Sequence, residues 1–387
     1  MRLFSDVSQL VRDPWLRYAC HLAERGRGTT SPNPLVGCVI VVDDVAVGEG
    51  YHAYAGGPHA ERVALDAAGE AARGATVYVT LEPCAHEGRT PPCVPALLEA
   101  GVSRVVIGML DPNPHVAGGG ADALREAGVE VEVAEDSAPF AAQNEAWLLF
   151  VREGRPYVRV KTALSLDGHP ALDAGHRAYI TGVAGAEVTR VLRSRADAVL
   201  VGSSTVAVDD PALTVRDAEG VLAERQPIRV VLARHDAPPV TSRVFTDGVA
   251  RTIVLLSDDA PVDPDALVGR GIQVVTYPAG DGILGALESL ADLGVMDLMV
   301  EAGPHLFSSL WSAGLVDEAI VVTAGGMAGP DAPPLFLGEA ERSTDRLTHS
   351  MHALEAGVVE DVAVSVWQRT LAEPVSHLGR EVRPSKG

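Results

Sequence analysis

Apolar and polar residues follow one another in short blocks along the whole chain, and the period changes from block to block. In Pro14 to Arg25, Trp15, Leu16, Ala19, Leu22 and Ala23 recur at three- and four-residue spacing, which predicts a helix with one buried side. Leu35 to Val42 is a short continuous apolar run, a strand, and Asp43-Asp44 turns it into a second strand over Val45 to Gly50. His59 to Ala68 returns to the helical period, and Ala75 to Leu81 alternates with Val and Tyr as a strand does. Pro95 to Ala100 is a short helix stopped by Gly101. Strands over Arg104 to Leu110 and Val129 to Val133 flank a helix over Ala121 to Ala127. This alternation predicts a mixed or mostly parallel sheet covered by helices.

Ser137 to Glu153 predicts one helix leading out of that unit, and Gly154-Arg155-Pro156 is the best boundary, being short and helix-breaking. A second alternating series follows. Its strands are Tyr157 to Ala163, Ala196 to Gly202, Ile228 to Leu232, Thr252 to Leu256, Gln273 to Thr276, Leu298 to Glu301 and Ala319 to Thr323, and Glu360 to Gln368 closes it. Helices over Ala184 to Arg195, Gly282 to Leu293 and Pro304 to Ala313 lie between them. The expected organisation is an α/β domain over 1–153, a second over 154–371 and a loose tail over 372–387, with no internal repeat.

Composition narrows the class of function. A length of 387 residues favours two domains, and 47% hydrophobic with 4% aromatic residues describes a globular protein. No apolar run approaches the roughly 18 residues of a membrane helix, and Met1 to Arg12 carries no secretory signal, so a cytoplasmic protein is expected. The net charge of −21 argues against nucleic acid as a partner. It also requires that a phosphorylated substrate be held by a local group of Arg or Lys. Four cysteines make no disulfide scaffold, and Cys20 and Cys38, in apolar surroundings, read as small buried hydrophobes.

The other two cysteines carry chemistry. His59-Ala60-Glu61, then Glu82-Pro83-Cys84, then Cys93 supply three borderline or soft metal ligands and a separate carboxylate. Catalytic zinc takes three protein ligands and keeps a fourth position for water, and a nearby Glu that is not a ligand can move that water's proton. His59, Cys84 and Cys93 are the candidate ligands and Glu61 the proton carrier. Each stands at the end of a predicted element, and Cys93 opens a helix whose dipole favours a thiolate. Zinc deaminases of nucleobases share H-x-E and P-C…C, but here the cysteines are nine positions apart. Asn33, in the stiff turn Ser31-Pro32-Asn33-Pro34, either reads the edge of a heterocycle or is a turn residue. His52, His86 and Arg89 lie in Gly/Pro-rich loops and are either ribose or phosphate contacts or solvated side chains.

The segments TSPNPLVGCVIV, GYHAYAGGPHAERVAL, YVTLEPCAHEGRTPPC and DPNPHVAGGG resemble the bifunctional deaminase–reductases of riboflavin biosynthesis, in which the long spacer between the cysteines is the usual form. The resemblance implies a cytidine-deaminase-like αβα domain with zinc on His59, Cys84 and Cys93. It implies hydrolytic deamination of 2,5-diamino-6-ribosylamino-pyrimidinone 5′-phosphate with Glu61 moving protons, a substrate that Asn33, His52, His86 and Arg89 would then contact on the first of their two readings. A nucleic-acid base deaminase is disfavoured by the acidic charge, and a purely structural zinc module would need a fourth ligand and no Glu61.

In the second half, the residues alone give one clue. A strand ending at Glu301 runs through Gly303-Pro304 into a helix, which is either an anion site for a dinucleotide or an ordinary turn. There is no G-x-G-x-x-G after a strand, so an ordinary Rossmann site is not supported. Arg193, Arg195 and Arg216 are either a phosphate clamp or solvated. LSLDG, ITG, ADAVLVGSSTVAVDDPALTVR, PIRVVL and VEAGPHL are similar to the reductase domain of the same family, and the likeness spans roughly residues 10 to 325. It implies a dihydrofolate-reductase-like α/β domain that uses NADPH to reduce the ribose to a ribityl chain. Cofactor contacts would fall on Ala163, Tyr179, Thr205, Asp209, Gly303, Pro304, His305, Leu306, Phe307, Ser308 and Ser309. Substrate contacts would fall on Arg177, Arg193, Leu213, Arg216 and Glu301, with Lys161 assisting proton transfer to the opening ring. The chain departs from the usual pattern at Tyr179 (commonly Trp), His169 (commonly Arg or Lys), Arg177 (commonly Ser) and Ala233-Arg234, where Arg234 offers a partner for a 2′-phosphate. These departures set the reductase against a second reading, an active deaminase with a non-reducing second domain. A homo-oligomer is expected.

Overall fold

The computed structural model describes residues 6–85, 91–112, 119–171, 180–234, 236–337 and 351–369. The chain divides into two compact units, Arg2–Glu153 and Gly154–Gly387.

The first unit is built on five strands: β1 (Gly37–Val42), β2 (Val45–Tyr51), β3 (Thr76–Val79), β4 (Arg104–Ile107) and β5 (Glu130–Val133), in the order β2-β1-β3-β4-β5. β1 runs antiparallel to β2 and β3, while β3, β4 and β5 are parallel. The continuous apolar run of β1 follows from burial on both faces. Val39 and Val41 pack on Ala19 and Leu22 of α1 (Pro14–Ala23), and Cys38 and Ile40 belong to the larger core on the other side. That core takes Ala60, Ala64 and Leu65 of α2 (Ala60–Ala68), Val94 and Leu97 of α3 (Cys93–Ala100), and Ala121 and Leu124 of α4 (Gly119–Glu126). Asp13 caps α1 by accepting from the backbone N–H groups of Trp15 and Leu16, with Pro14 at the first helical position. Gly50 lets α2 approach β2, since a Cβ there would lie 2.2 Å from the Ala60 carbonyl oxygen. The start of α2 is thereby seated on the sheet.

The single helix expected over Ser137 to Glu153 is two, α5 (Ala138–Gln143) and α6 (Glu145–Glu153). Asn144 interrupts them. Its buried side chain accepts from Leu35 N at 2.8 Å and donates to Leu35 O at 3.1 Å, tying the helix break to the entry of β1.

The second unit holds nine strands: β6 (Tyr157–Leu164), β7 (Ala198–Gly202), β8 (Ile228–Ala233), β9 (Thr252–Ser257), β10 (Gln273–Tyr277), β11 (Asp297–Glu301), β12 (Glu318–Ala324), β13 (Met351–Val359) and β14 (Val362–Arg369). Their order is β10-β9-β8-β7-β11-β6-β12-β14-β13. The first seven are parallel, and the β13–β14 hairpin joins β12 antiparallel. Connecting helices are α7 (Gly182–Arg195), α8 (Ser203–Asp209), α9 (Arg243–Thr246), α10 (Pro264–Val268), α11 (Gly282–Asp292) and α12 (Pro304–Ser312). Val158, Val160, Leu200, Leu255, Leu287, Leu298, Val300 and Leu310 fill the core between sheet and helices.

A buried ion pair anchors the first strand of this unit. Arg155 donates two bonds to Asp317, at 2.6 and 2.8 Å, and Asp317 also accepts from Val158 N at 2.9 Å. Both side chains are almost fully buried. Removing one partner strands the other charge, so Arg155→Met should destabilise the protein by about 3–5 kcal/mol in a urea unfolding measurement.

Candidate active site

His59 is the N-cap of α2, with extended backbone (φ −69°, ψ 156°), and its side chain makes no capping bond. Its Nδ1 lies 3.2 Å from Cys93 Sγ and 3.4 Å from Cys84 Sγ. The three donor atoms lie within 4.8 Å of one another. Tetrahedral zinc, with Zn–S of about 2.3 Å and Zn–N of about 2.0 Å, wants such donors roughly 3.5–3.8 Å apart, so the cluster fits the ion closely. The backbone stitches the two cysteines together: Cys93 N and Val94 N donate to Cys84 O at 3.0 and 3.1 Å, and Cys93 N also points at Cys84 Sγ, 3.4 Å away. The α3 N-terminus therefore faces the Cys84 sulfur, which favours a thiolate. A hydrogen bond from Cys93 pulls the Cys84 thiol well below its ordinary value, and the Cys93 thiol is pushed up in consequence. Its bond to Cys84 raises His59 against the effect of burial.

Glu61 sits in the first turn of α2, only 3% exposed, and burial raises its carboxyl above the usual range. A raised carboxyl beside a metal-activated water is what proton transfer in both directions needs.

His52 borders the cluster. Its Nδ1 is 3.0 Å from the Pro58 carbonyl oxygen, an acceptor, so that nitrogen carries the proton. Burial lowers the pKa of His52, in keeping with a neutral ring. Its Nε2 is then the acceptor for Asn33 Nδ2 at 3.0 Å. The His52 ring stands edge-on to His59, at 88° and 5.7 Å between centroids. Four of the predicted residues are thus gathered around the two cysteines. His86 and Arg89 lie outside the described residues, as do Arg177 and Tyr179.

In the second unit three of the predicted residues, Lys161, Arg193 and Glu301, come together on and beside the central strands. Lys161 on β6 pairs in register with Glu301 on β11. Arg193 of α7 grips Glu301 through two bonds, at 2.6 and 2.9 Å, and donates to Thr214 O at 3.0 Å. Burial alone would raise the Glu301 carboxyl, but Arg193 and then Lys161 bring it below its ordinary value. It therefore contributes stability at neutral pH that is lost as the pH falls through the lowered carboxyl range. Burial lowers the Lys161 ammonium, opposed by Glu301 and reinforced by Arg193.

Leu213, buried at 1% exposure, has φ +52°, an uncommon conformation for a branched side chain. Its neighbours are held by side chains the sequence reading did not single out. Arg229 donates to Ala212 O at 3.3 Å, and Gln226 brackets Val215 N and O at 2.8 and 2.9 Å. Thr205 of α8 lies against Gly303, with its Oγ1 3.7 Å from where a Cβ would stand. Asp209 ends α8, and Ala163 on β6 pairs with Val322. In α12, Pro304 is at the first helical position and His305 is exposed, whereas Leu306 and Phe307 belong to the core. Ser308 and Ser309 donate to the carbonyls of Pro304 and His305. Arg216 turns back to Gly220 O at 2.8 Å. His169 Nδ1 meets Pro333 O at 3.1 Å.

Known proteins share both halves. Residues 11–109 match the family described as the cytidine and deoxycytidylate deaminase zinc-binding region, and residues 156–359 match the RibD C-terminal domain. The riboflavin biosynthesis protein RibD of Aquifex aeolicus is 41% identical over 81% of this chain and 87% of its own. The chain belongs to the RibD family. The Escherichia coli member is 42% identical over 82% of this chain and 89% of its own. The solved RibD structure from Acinetobacter baumannii matches with a TM-score of 0.83 at 37% identity, covering 95% of this chain and 99% of that one. A Thermotoga maritima structure described as a diaminohydroxyphosphoribosylaminopyrimidine deaminase/5-amino-6-(5-phosphoribosylamino)uracil reductase matches with a TM-score of 0.78 at 31% identity, over 94% and 99% of the two chains. As a RibD protein, this chain is a bifunctional deaminase and reductase of riboflavin biosynthesis, with a zinc-binding deaminase domain and an NADPH-dependent reductase domain. The second reading, a domain that no longer reduces, has no support in these comparisons. Among the described residues, no helix is long and apolar enough to cross a membrane.

Proposed function

We propose that residues 1–153 deaminate 2,5-diamino-6-ribosylamino-4(3H)-pyrimidinone 5′-phosphate and that 154–371 then reduce the ribose of the deaminated product. The carrying observation is the donor cluster of His59, Cys84 and Cys93 beside the buried Glu61. Zinc, when bound to those three donors, supplies an acidified water. Glu61 takes the water's proton and returns it to the departing amine, which leaves as ammonia. Neutral His52 fixes the orientation of the Asn33 amide by accepting one of its two N–H donors, which leaves its carbonyl oxygen to face a donor on the pyrimidine edge. His86 and Arg89 contact the substrate in the same reading.

In the second domain, Ala163, Tyr179, Thr205, Asp209 and the turn from Gly303 to Ser309 would hold NADPH, which when bound would supply hydride, and the N–H groups at the start of α12 suit phosphate. Arg177, Arg193, Leu213, Arg216 and Glu301 hold the sugar phosphate. Lys161, with its lowered ammonium pKa, would give a proton to the ribose ring oxygen as the ring opens. Lys161→Met should cut NADPH oxidation on the deaminated substrate by about a hundredfold or more and leave ammonia release unchanged. An unchanged rate of absorbance loss at the nicotinamide band would remove Lys161 from this role.

The substrate is a small molecule, and the charge of −21 supports a protein that does not take nucleic acid. Four free cysteines fit the reducing cytoplasm. A homo-oligomer fits β13, an edge strand on which Leu354 and Val358 are exposed.

A further inference from the structure

We propose that Glu82 is a positioning residue of the deaminase centre, a clasp that fixes α4 and the end of β4 to the turn carrying Cys84. The proposal rests on the reading of His59, Cys84 and Cys93 as zinc ligands. Glu82 is 4% exposed. One carboxylate oxygen accepts from Gly120 N at 3.0 Å and Ala121 N at 2.9 Å, and the other accepts from Asp111 N at 3.0 Å. Its own N–H donates to Met109 O at 2.9 Å. A single side chain thus grips the backbone on both sides of the connection between β4 and α4.

A second observation points to the same junction. A Cβ at Gly120 would lie 1.8 Å from the Pro83 carbonyl oxygen, so the first turn of α4 is pressed onto the residue between Glu82 and Cys84. The first N–H groups of a helix lack partners within the helix, and its positive end favours a carboxylate. Glu82 meets both needs from inside the chain. One residue past Pro83, Cys84 O accepts from Cys93 N and Val94 N. The series α4, Glu82, Pro83, Cys84, Cys93 is therefore bonded at every step up to the metal donors. Groups of this kind orient ligands, and their loss typically lowers metal affinity or activity by about 10–100-fold.

The chemistry requires a carboxylate. The three N–H groups offer only protons, and an amide would turn its own NH2 towards one of the two sets. Glu82 is also excluded as the proton carrier, because its oxygens already serve backbone donors in this way. That leaves Glu61 for the reaction.

The test uses the full chain as wild type, Glu82→Gln and Gly120→Ala. Zinc release to a chromophoric chelator, amide exchange at Asp111, Gly120 and Ala121, and ammonia-release kinetics are measured, with NADPH oxidation on the deaminated substrate as the control for the other domain. Glu82→Gln should speed zinc release and lower kcat by about 10–100-fold, and accelerate exchange at those amides, while NADPH oxidation holds. Gly120→Ala, which pushes α4 off Pro83 and leaves the carboxylate intact, should show the same signature. Wild-type zinc release and kcat in Glu82→Gln overturn the proposal. So does a loss of ammonia release that vanishes when the rate is expressed per folded molecule. A wild-type protein that binds no zinc instead removes the zinc reading, and amide exchange then judges the clasp alone.

Discussion

Glu61→Gln is expected to retain a full equivalent of zinc and to lose deamination by about a hundred- to ten-thousand-fold, the range for a positioned acid/base group. The substitution keeps shape and burial, since Glu61 is 3% exposed in the first turn of α2, and none of the three donor atoms belongs to it. What it removes is the exchangeable proton site. Gln can neither accept a proton from water nor hand one to the leaving amine. Zinc by elemental analysis and ammonia release by a coupled assay make the check. A Glu61→Gln protein that deaminates near the wild-type rate would take the proton-carrying role away from Glu61.

The second large effect is on the metal itself. Cys93→Ser exchanges a thiolate for a hydroxyl that is not ionised near neutral pH, and leaves only His59 and Cys84 as donors. Among the described residues, no other His, Cys or carboxylate joins the group of three. Most of the zinc should be lost on dialysis, ammonia release should fall with it, and NADPH oxidation on the deaminated substrate should continue. Full zinc occupancy in Cys93→Ser would refute that ligand assignment. Cys20→Ser is the contrasting case. Burial lifts that thiol to about 12, and it bonds to Gln143 away from the cluster, so zinc should be unaffected.

Much of the centre was legible in the chain because its chemistry sits at element ends, where residue type and position coincide. His59 at a helix start and Cys93 at the next needed only the periodicity of the segments around them. Cys84 followed from a strand stopped by Pro83. The companions of these residues were less legible. Glu82 stood in the motif, but nothing in its neighbours says that its carboxylate reaches Gly120 and Ala121, almost forty residues away in sequence. Arg229 read as part of an apolar strand, yet its guanidinium is buried against Asp247 and supports the turn before Leu213. The positive φ of Leu213 left no signal either, since glycine would be the usual residue there.

The fold divides in the same way. Strands buried on both faces, such as β1, announce themselves as unbroken apolar runs. β13 gave no such run: it lies at the sheet edge, exposed along much of its length, and is held by pairing to β14 rather than by an apolar face of its own. The break between α5 and α6 was hidden because Asn144 sits within a helical period, and only its bonds to Leu35 show why the helix stops. Propensity and pattern report burial, while long-range bonds from one polar side chain are invisible to both.

The order of the two reactions gives the most direct test. Wild-type and Glu61→Gln proteins are each given the diamino pyrimidine phosphate with NADPH, and ammonia and nicotinamide absorbance are followed together. The expected result is that wild type releases ammonia before absorbance falls, while Glu61→Gln releases ammonia and oxidises NADPH at least about a hundredfold more slowly until the deaminated substrate is supplied, whereupon it reduces at the wild-type rate. NADPH oxidation by Glu61→Gln on the diamino substrate, without ammonia, would contradict a zinc centre that must act first.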